Sequence, residues 1–384
     1  MPRLKKMKNL FIVVALFASA ALAELQPEPT GVIESLPDTW PAHWIIAADA
    51  AFFHMSDGKF IVLDADSDDP SARFKGFFNG GFIANFAQAT TRPEIYIAET
   101  FRSRGTRGER TDVLTIFSKS NLEPIGEVVI PPKRSSNMPT AYNVQLVDDE
   151  NIALVYNFTP AQSISVVDVV AREFLAEVPT PGCALAFPMA VRAFASICSD
   201  ATIMAITLGD DGRQVSSSRT DPFFDVDSDP LMEKPAMHNG VAYFPSFLGN
   251  VYPVDLNGST PVVGESWSLN GDEEGGWRPG GIQVSASDAG GDLYFLMHPE
   301  GTEGTHKDPG VEVWVFDSET GRRVNRVALE LPALSINVTR DDEPLLVATN
   351  INMEVDVYDA SSGEHLRTLG NFGQETPLTL WVAE

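Results

Sequence analysis

The sequence predicts an all-β fold, a seven-bladed β-propeller of four-stranded blades closed by the C-terminal strand, and three observations predict it. Runs of β-branched and aromatic residues come in pairs, seven in all, recurring roughly every 50 residues, which is propeller-blade spacing. No long segment of 3.6-residue periodicity follows the N-terminal stretch. The last stretch, ETPLTLWVAE, reads as a strand without a pair of its own. It is expected to join the first pair, because a closed ring leaves no open sheet edge.

Residues 1–23 stand outside this fold. Arg3, Lys5, Lys6 and Lys8 form a basic region, Leu10 to Phe17 an apolar run, and Ala21-Leu22-Ala23 a small-residue cleavage site. That order is the pattern of a secretory signal peptide, and the apolar run is too short to cross a bilayer. Residues 24–39 read as an N-terminal extension and 40–384 as the propeller.

The pairs follow in order. WIIAADA (from Trp44) precedes FIVLDAD, EIYIAET (from Glu94) precedes DVLTIFS, and NIALVYN (from Asn151) precedes ISVVDVV. AFASICS (from Ala193) precedes IMAITLG, and GVAYFPS (from Gly240) precedes NVYPVDL. GDLYFLM (from Gly291) precedes VEVWVFD, and PLLVATN (from Pro344) precedes VDVYDAS. Many second members end in Asp before a turn. Val311, Val313 and Val315 share one face and Glu312, Trp314 and Phe316 the other, so both faces are largely apolar. A sheet packed between two neighbours needs that pattern. EPIGEVVI and EFLAEVP supply strands between pairs.

The formal net charge is −26, and it becomes more acidic once the basic N-terminus is removed. A polyanion would be repelled, which argues against a nucleic-acid partner. The acids fall in loops such as Asp66-Ser67-Asp68-Asp69 and Asp272-Glu273-Glu274, consistent with a solvated surface. Cys183 and Cys198 are the whole cysteine content. In an oxidising compartment one pair implies one disulfide. By the strand map, Cys183 opens one strand of a hairpin and Cys198 ends the next, so the two lie side by side. There is no CxxC or CxxCH.

Histidines 43, 54, 238, 298, 306 and 365 occupy no metal-ligand spacing, and neither a GxSxG elbow nor a phosphate-binding glycine loop occurs. The residues alone therefore favour a binding scaffold, with no catalytic residue and no metal site assigned to this chain. Three unusual connections are expected on one face: Thr100 to Asp112, His298 to Gly310, and the link Lys75 to Phe86. In the first, Arg102, Arg104, Arg107 and Arg110 form either a docking site for an acidic partner or an ion-pair knot with Glu109 and Asp112. In the third, Phe78 and Phe82 flank Asn79-Gly80-Gly81.

RGERTD (Arg107 to Asp112), the Cys183…Cys198 spacing, WRPGG (Trp277 to Gly281), EGTHK (Glu303 to Lys307) and SINVTRDDEPLL (Ser335 to Leu346) together resemble one family. It is the large subunit of methylamine and aromatic amine dehydrogenases, and the likeness runs from about Glu34 onward. LMHPEGTEGTHK, IPPKR (Ile130 to Arg134) and ITLGDDG are closer to the aromatic (aralkyl) amine branch. GGF (Gly80 to Phe82) and SINVTRDDEPLL are closer to the methylamine branch, and the balance leans to the aromatic one.

The resemblance implies a periplasmic heterotetramer of two large and two small subunits. The small subunit would carry tryptophan tryptophylquinone and the catalytic groups. None of Trp40, Trp44, Trp267, Trp277, Trp314 or Trp381 would then be quinone, and this chain would hold no cofactor. The implied reaction converts a primary amine and water to an aldehyde and ammonia. Electrons pass singly to a cupredoxin of the azurin or amicyanin type. A large-subunit Phe lines the family's substrate channel. The GGF match places it at Phe82, and the FNG match would place it at Phe78 instead. An alternative of another class is a stand-alone exported propeller binding protein, since a propeller does not fix function.

Overall fold

The computed structural model describes residues 35–52, 57–137 and 140–383, of which 36–383 belong to one compact unit. The signal-peptide reading, most of the N-terminal extension and His54 lie outside the described residues. Among the described residues there is no α-helix, only two short 3-10 turns, Ala141–Asn143 and Thr305–Lys307. All the predicted strand pairs form antiparallel hairpins.

Their assembly corrects the expected seven separate four-stranded blades. Hydrogen bonding gathers the described strands into four four-stranded sheets, one five-stranded sheet and one continuous eight-stranded sheet, so five sheets have the dimensions of a single blade. The cause is the strand Arg323–Val338, 16 residues long. Its first half pairs with Gly310–Asp317 and its second half with Leu345–Asn350, so the ladder never breaks. RVNRVALELPALSINV contains no glycine to turn the chain there. A count of strand pairs cannot register a connecting strand that runs straight through.

Alternation along each strand explains the layering. Trp44, Ile46 and Ala48 enter one apolar cluster with Phe60, Phe86 and Ile95, whereas Ile45 and Ala47 enter another with Leu345, Val347 and Val355. Successive side chains of a strand point to opposite faces, so an inner sheet needs apolar residues at every position. The hexapeptide AFASIC, Ala193–Cys198, is buried throughout for the same reason.

The C-terminal strand Pro377–Val382 pairs antiparallel with Trp44–Asp49. Its free edge is covered by side chains. The carbonyl of Leu378 accepts from Ser335 Oγ (2.6 Å), and that of Leu380 from Gln283 Nε2 (2.9 Å) and Asn337 Nδ2 (2.8 Å). The Val382 carbonyl accepts from Gln88 Nε2 (2.6 Å), and the Leu380 N–H donates to Gln283 Oε1 (2.9 Å). This edge borders a cavity of roughly 360 Å3, lined also by Tyr142, Lys234 and Arg340.

Candidate functional site

The link after the strand Phe74–Gly80 is the best-built candidate. Strand alternation turns Phe77 outward, 53% exposed, and Phe78 inward, 3% exposed. Phe78 stacks on Phe60, with centroids 5.2 Å apart, and lies 5.1 Å from Phe117. It is therefore a packing residue between sheets. Phe82, beyond the strand end, is half-buried in a turn. The two candidate rings thus occupy different surroundings, and only Phe82 stands on a connection.

Gly80 and Gly81 let this connection approach its neighbours. A Cβ at Gly80 would sit 2.9 Å from the Phe60 ring, and one at Gly81 would sit 2.8 Å from the Thr100 carbonyl oxygen. No larger residue fits either place. Ile83 then adopts φ +39°, a left-handed conformation that is costly for a β-branched residue.

Buried polar groups surround the link. Glu99 Oε2 accepts from the Gly81 N–H (2.6 Å), and its other oxygen accepts from Thr115 Oγ1. Arg134, 1% exposed, donates to the carbonyls of Phe82 (2.7 Å) and Ile83 (2.8 Å), to Asn85 Oδ1 (2.9 Å), to Ser135 O (3.0 Å) and to Thr100 Oγ1 (2.9 and 3.1 Å). Burial pushes its guanidinium down to about 10, which leaves it cationic at neutral pH. Burial also raises the Glu99 carboxyl above its ordinary value, against the hydrogen bonds from Thr115 and Gly81. Asp112, fully buried, receives Thr100 Oγ1 (2.9 Å), the Arg134 backbone N–H (2.9 Å) and a two-pronged contact from Arg110 (2.7 Å each).

This resolves the arginine cluster. Arg110 belongs to an ion-pair knot with Asp112, while Arg102, Arg104 and Arg107 are exposed at the hairpin tip. Glu109 is exposed, and its backbone N–H bonds Ser103 Oγ at 3.1 Å. The expected long loop here is largely strand. Glu94–Arg104 and Arg107–Ser118 stay paired through Phe101↔Thr111 and Arg102↔Arg110 to Arg104↔Arg107. The structure brings this hairpin together with the Gly81–Ile83 link. In the His298 to Gly310 connection, His306 O accepts from Gly281 N (3.1 Å), and the His306 ring lies 6.2 Å from Phe247.

Cys183 and Cys198 face each other in register and are bridged, with Cα atoms 3.9 Å apart. Of the other histidines, His43 lies 3.4 Å from Asp64, His365 lies 3.6 Å from Asp356, and His298 is buried with Nδ1 3.0 Å from Pro299 O. Among the described residues no three His, Cys, Asp or Glu side chains gather as a metal-holding group. The six tryptophans all make ring or cation contacts: Trp277 and Trp314, with centroids 5.1 Å apart, lie beneath Arg326, Trp40 and Trp44 lie beneath Lys119 and Lys75, Trp267 lies 5.0 Å from Phe316, and Trp381 lies 5.0 Å from Phe86.

Sequence reasoning missed Glu99 and Arg134. Glu99 carried a signal: it continues the buried face of Ile95 and Ile97, where a carboxylate needs partners. Arg134 was noted only as the end of the IPPKR resemblance, because it sits in a proline-containing connection whose path only the fold reveals.

The family model of the methylamine dehydrogenase heavy chain matches residues 41–382. The chain is 28% identical over 357 residues to the methylamine dehydrogenase heavy chain of Paracoccus versutus, covering 90% of this chain and 80% of that one. It is 25% identical over 370 residues to the heavy chain of Methylorubrum extorquens, covering 94% and 88%. It is 26% identical over 371 residues to that of Methylophilus methylotrophus, covering 95% and 89%. These relatives carry the methylamine name and lend no support to the lean toward the aromatic branch. Two solved structures share the fold at 13% identity. A dihydro-heme d1 dehydrogenase, NirN, matches with a TM-score of 0.54 over 92% of this chain and 68% of its own. The hydrazine synthase of Kuenenia stuttgartiensis matches with a TM-score of 0.53 over 79% and 90%.

Proposed function

The chain belongs to the methylamine dehydrogenase heavy-chain family, and from that membership we propose that it is the large, non-catalytic subunit of a periplasmic quinoprotein amine dehydrogenase. The observation that carries the proposal is the family match across residues 41–382, nearly the whole described fold. Export rests on the order of basic, apolar and small residues before Glu24. The small subunit supplies the tryptophan tryptophylquinone, which takes up the two electrons released as a primary amine and water become an aldehyde, ammonia and two protons. A cupredoxin then receives the electrons one at a time.

This chain's own contribution is to hold the small subunit and to shape the approach to it. Phe82 stands half-buried on a rigidly bonded link beside the paired hairpin that carries the exposed arginines. A ring there narrows the channel and selects amines by bulk. Such a wall discriminates by about 1–3 kcal/mol, or roughly 10–200-fold in kcat/KM.

The test is reconstitution. The purified large subunit alone should show no quinone absorption and no amine-dependent reduction of an artificial acceptor. Both should appear when the small subunit is co-expressed. A quinone-like band from the isolated large chain, or a co-expressed complex that oxidises no primary amine, would refute the reading.

A further inference from the structure

The Gly81–Ile83 link is held more firmly than packing requires. On one side of Phe82, the Gly81 N–H ends on the Glu99 carboxyl at 2.6 Å. On the other, two successive carbonyls, Phe82 O and Ile83 O, end on the two terminal nitrogens of Arg134 at 2.7 and 2.8 Å. We propose that Arg134, supported by Glu99, is a positioning residue for substrate discrimination: it fixes where the Phe82 ring points by locking the backbone on both sides of it. The proposal rests on Phe82 being a wall of the amine channel.

Three physical features support this. Ile83 at φ +39° occupies a conformation that a β-branched residue keeps only when its surroundings impose it, and the Ile83 carbonyl is one of those that Arg134 grips. The guanidinium is buried, yet no carboxylate oxygen receives its N–H groups. They go to the carbonyls of Phe82, Ile83 and Ser135, to Asn85 Oδ1 and to Thr100 Oγ1. A buried cation that meets only neutral acceptors is a poor device for stability, but a good one for specifying a single geometry. Finally, the task suits arginine. Its planar fork reaches two neighbouring carbonyls together, which the single ammonium of lysine cannot do in the same geometry. A displacement of about 1 Å at a substrate-positioning group is enough to change rates strongly.

The experiment uses the enzyme assembled with its small subunit. Arg134→Lys, Thr100→Val, Phe82→Ala and the doubles with Phe82→Ala are compared by the ratio of kcat/KM for an arylethylamine over methylamine. Arg134→Lys should move that ratio roughly 3- to 30-fold, more than it moves kcat with methylamine. In the Phe82→Ala background, where no ring remains to be placed, the same substitution should leave the ratio where Phe82→Ala alone puts it. If Arg134→Lys does not assemble, Thr100→Val carries the same comparison, because it removes one acceptor of the guanidinium while keeping the side-chain shape.

A ratio unchanged by both clamp variants, with Phe82→Ala active on it, overturns the positioning role and leaves the channel reading intact. A shift just as large in the Phe82→Ala background also overturns it, since Arg134 would then act elsewhere. A ratio indifferent to Phe82→Ala itself overturns the channel reading.

Discussion

The Cys183–Cys198 corner and the Gly81–Ile83 link both fix a piece of chain at a strand end, by opposite means. At the corner, two strands already in register are joined by one covalent bond, with Leu185, Phe187 and Ile197 of an apolar cluster around it. At the link, no covalent bond is present. Glu99 and Arg134 bond the link directly, and Thr115, Thr100 and Asp112, from separated stretches, bond those two in turn. A disulfide acts mainly on the unfolded chain, whereas a buried polar network acts on the precise shape of the folded one. The corner is thus expected to matter for stability alone, and the link for stability and selectivity together.

The largest effect should come from removing the centre of the network. Arg134→Ala strands the carbonyls of Phe82, Ile83 and Ser135 without that donor and removes the buried cation near Glu99, while Asp112 keeps Arg110. The expected loss is about 3–5 kcal/mol, read as a fall in the denaturation midpoint. A loss below about 1 kcal/mol would mean that water replaces the guanidinium and that the link is not specified by it. Next comes the corner. Replacing Cys183 and Cys198 together by Ser should cost about 2–5 kcal/mol and leave the amine preference of the assembled enzyme unmoved. Denatured, unreduced parent protein should titrate essentially no thiol. If the double serine variant changes amine preference, the proposed separation between the two regions fails.

The smallest effect separates charge from shape at the link. Burial raises the Glu99 carboxyl above its ordinary value in the folded protein. The folded state therefore holds that proton more tightly than the unfolded chain. Its contribution to stability is full below the ordinary carboxyl value and is lost as pH rises through the raised one. Glu99→Gln should abolish this slope. Relative to the parent, its melting temperature should rise as pH is taken from about 4 to about 8. Parallel melting curves for the two proteins across that range would show that Glu99 is already ionised at no cost.

How far the sequence reached differs between the same two regions. The disulfide was legible because its determinants are local: two cysteines, strand lengths and hairpin geometry place Cys183 beside Cys198. The strand pairs were legible for the same reason, since alternation acts within a few residues. The number of separate sheets was not, because Arg323–Val338 joins what two repeats would have kept apart, and hydrogen bonding between repeats leaves no mark on residue alternation. At the link, the two glycines pointed to a tight turn, and the sequence favoured Phe82 with Phe78 as second choice without showing how their surroundings differ. Their difference depends on where the strand Phe74–Gly80 ends, one pleat before the chain turns. The role of Arg134, which the sequence showed only as the end of IPPKR, was not legible because most of its partners lie far away in the chain.

The covered edge of Pro377–Val382 has a consequence for the order of events during synthesis. Trp44–Asp49 is among the first strands to be made, and its inner neighbour is the last. The side chains that cap that neighbour, from Gln88, Gln283, Ser335 and Asn337, come from well-separated parts of the chain. The first sheet cannot be completed until Pro377–Val382 has been made, and contacts between such distant residues form slowly. Until Pro377–Val382 is in place, Trp44–Asp49 keeps an uncovered edge. That strand therefore acts as a late lock on the first sheet, and deleting Pro377–Val382 should release an aggregating chain instead of a slightly smaller folded one.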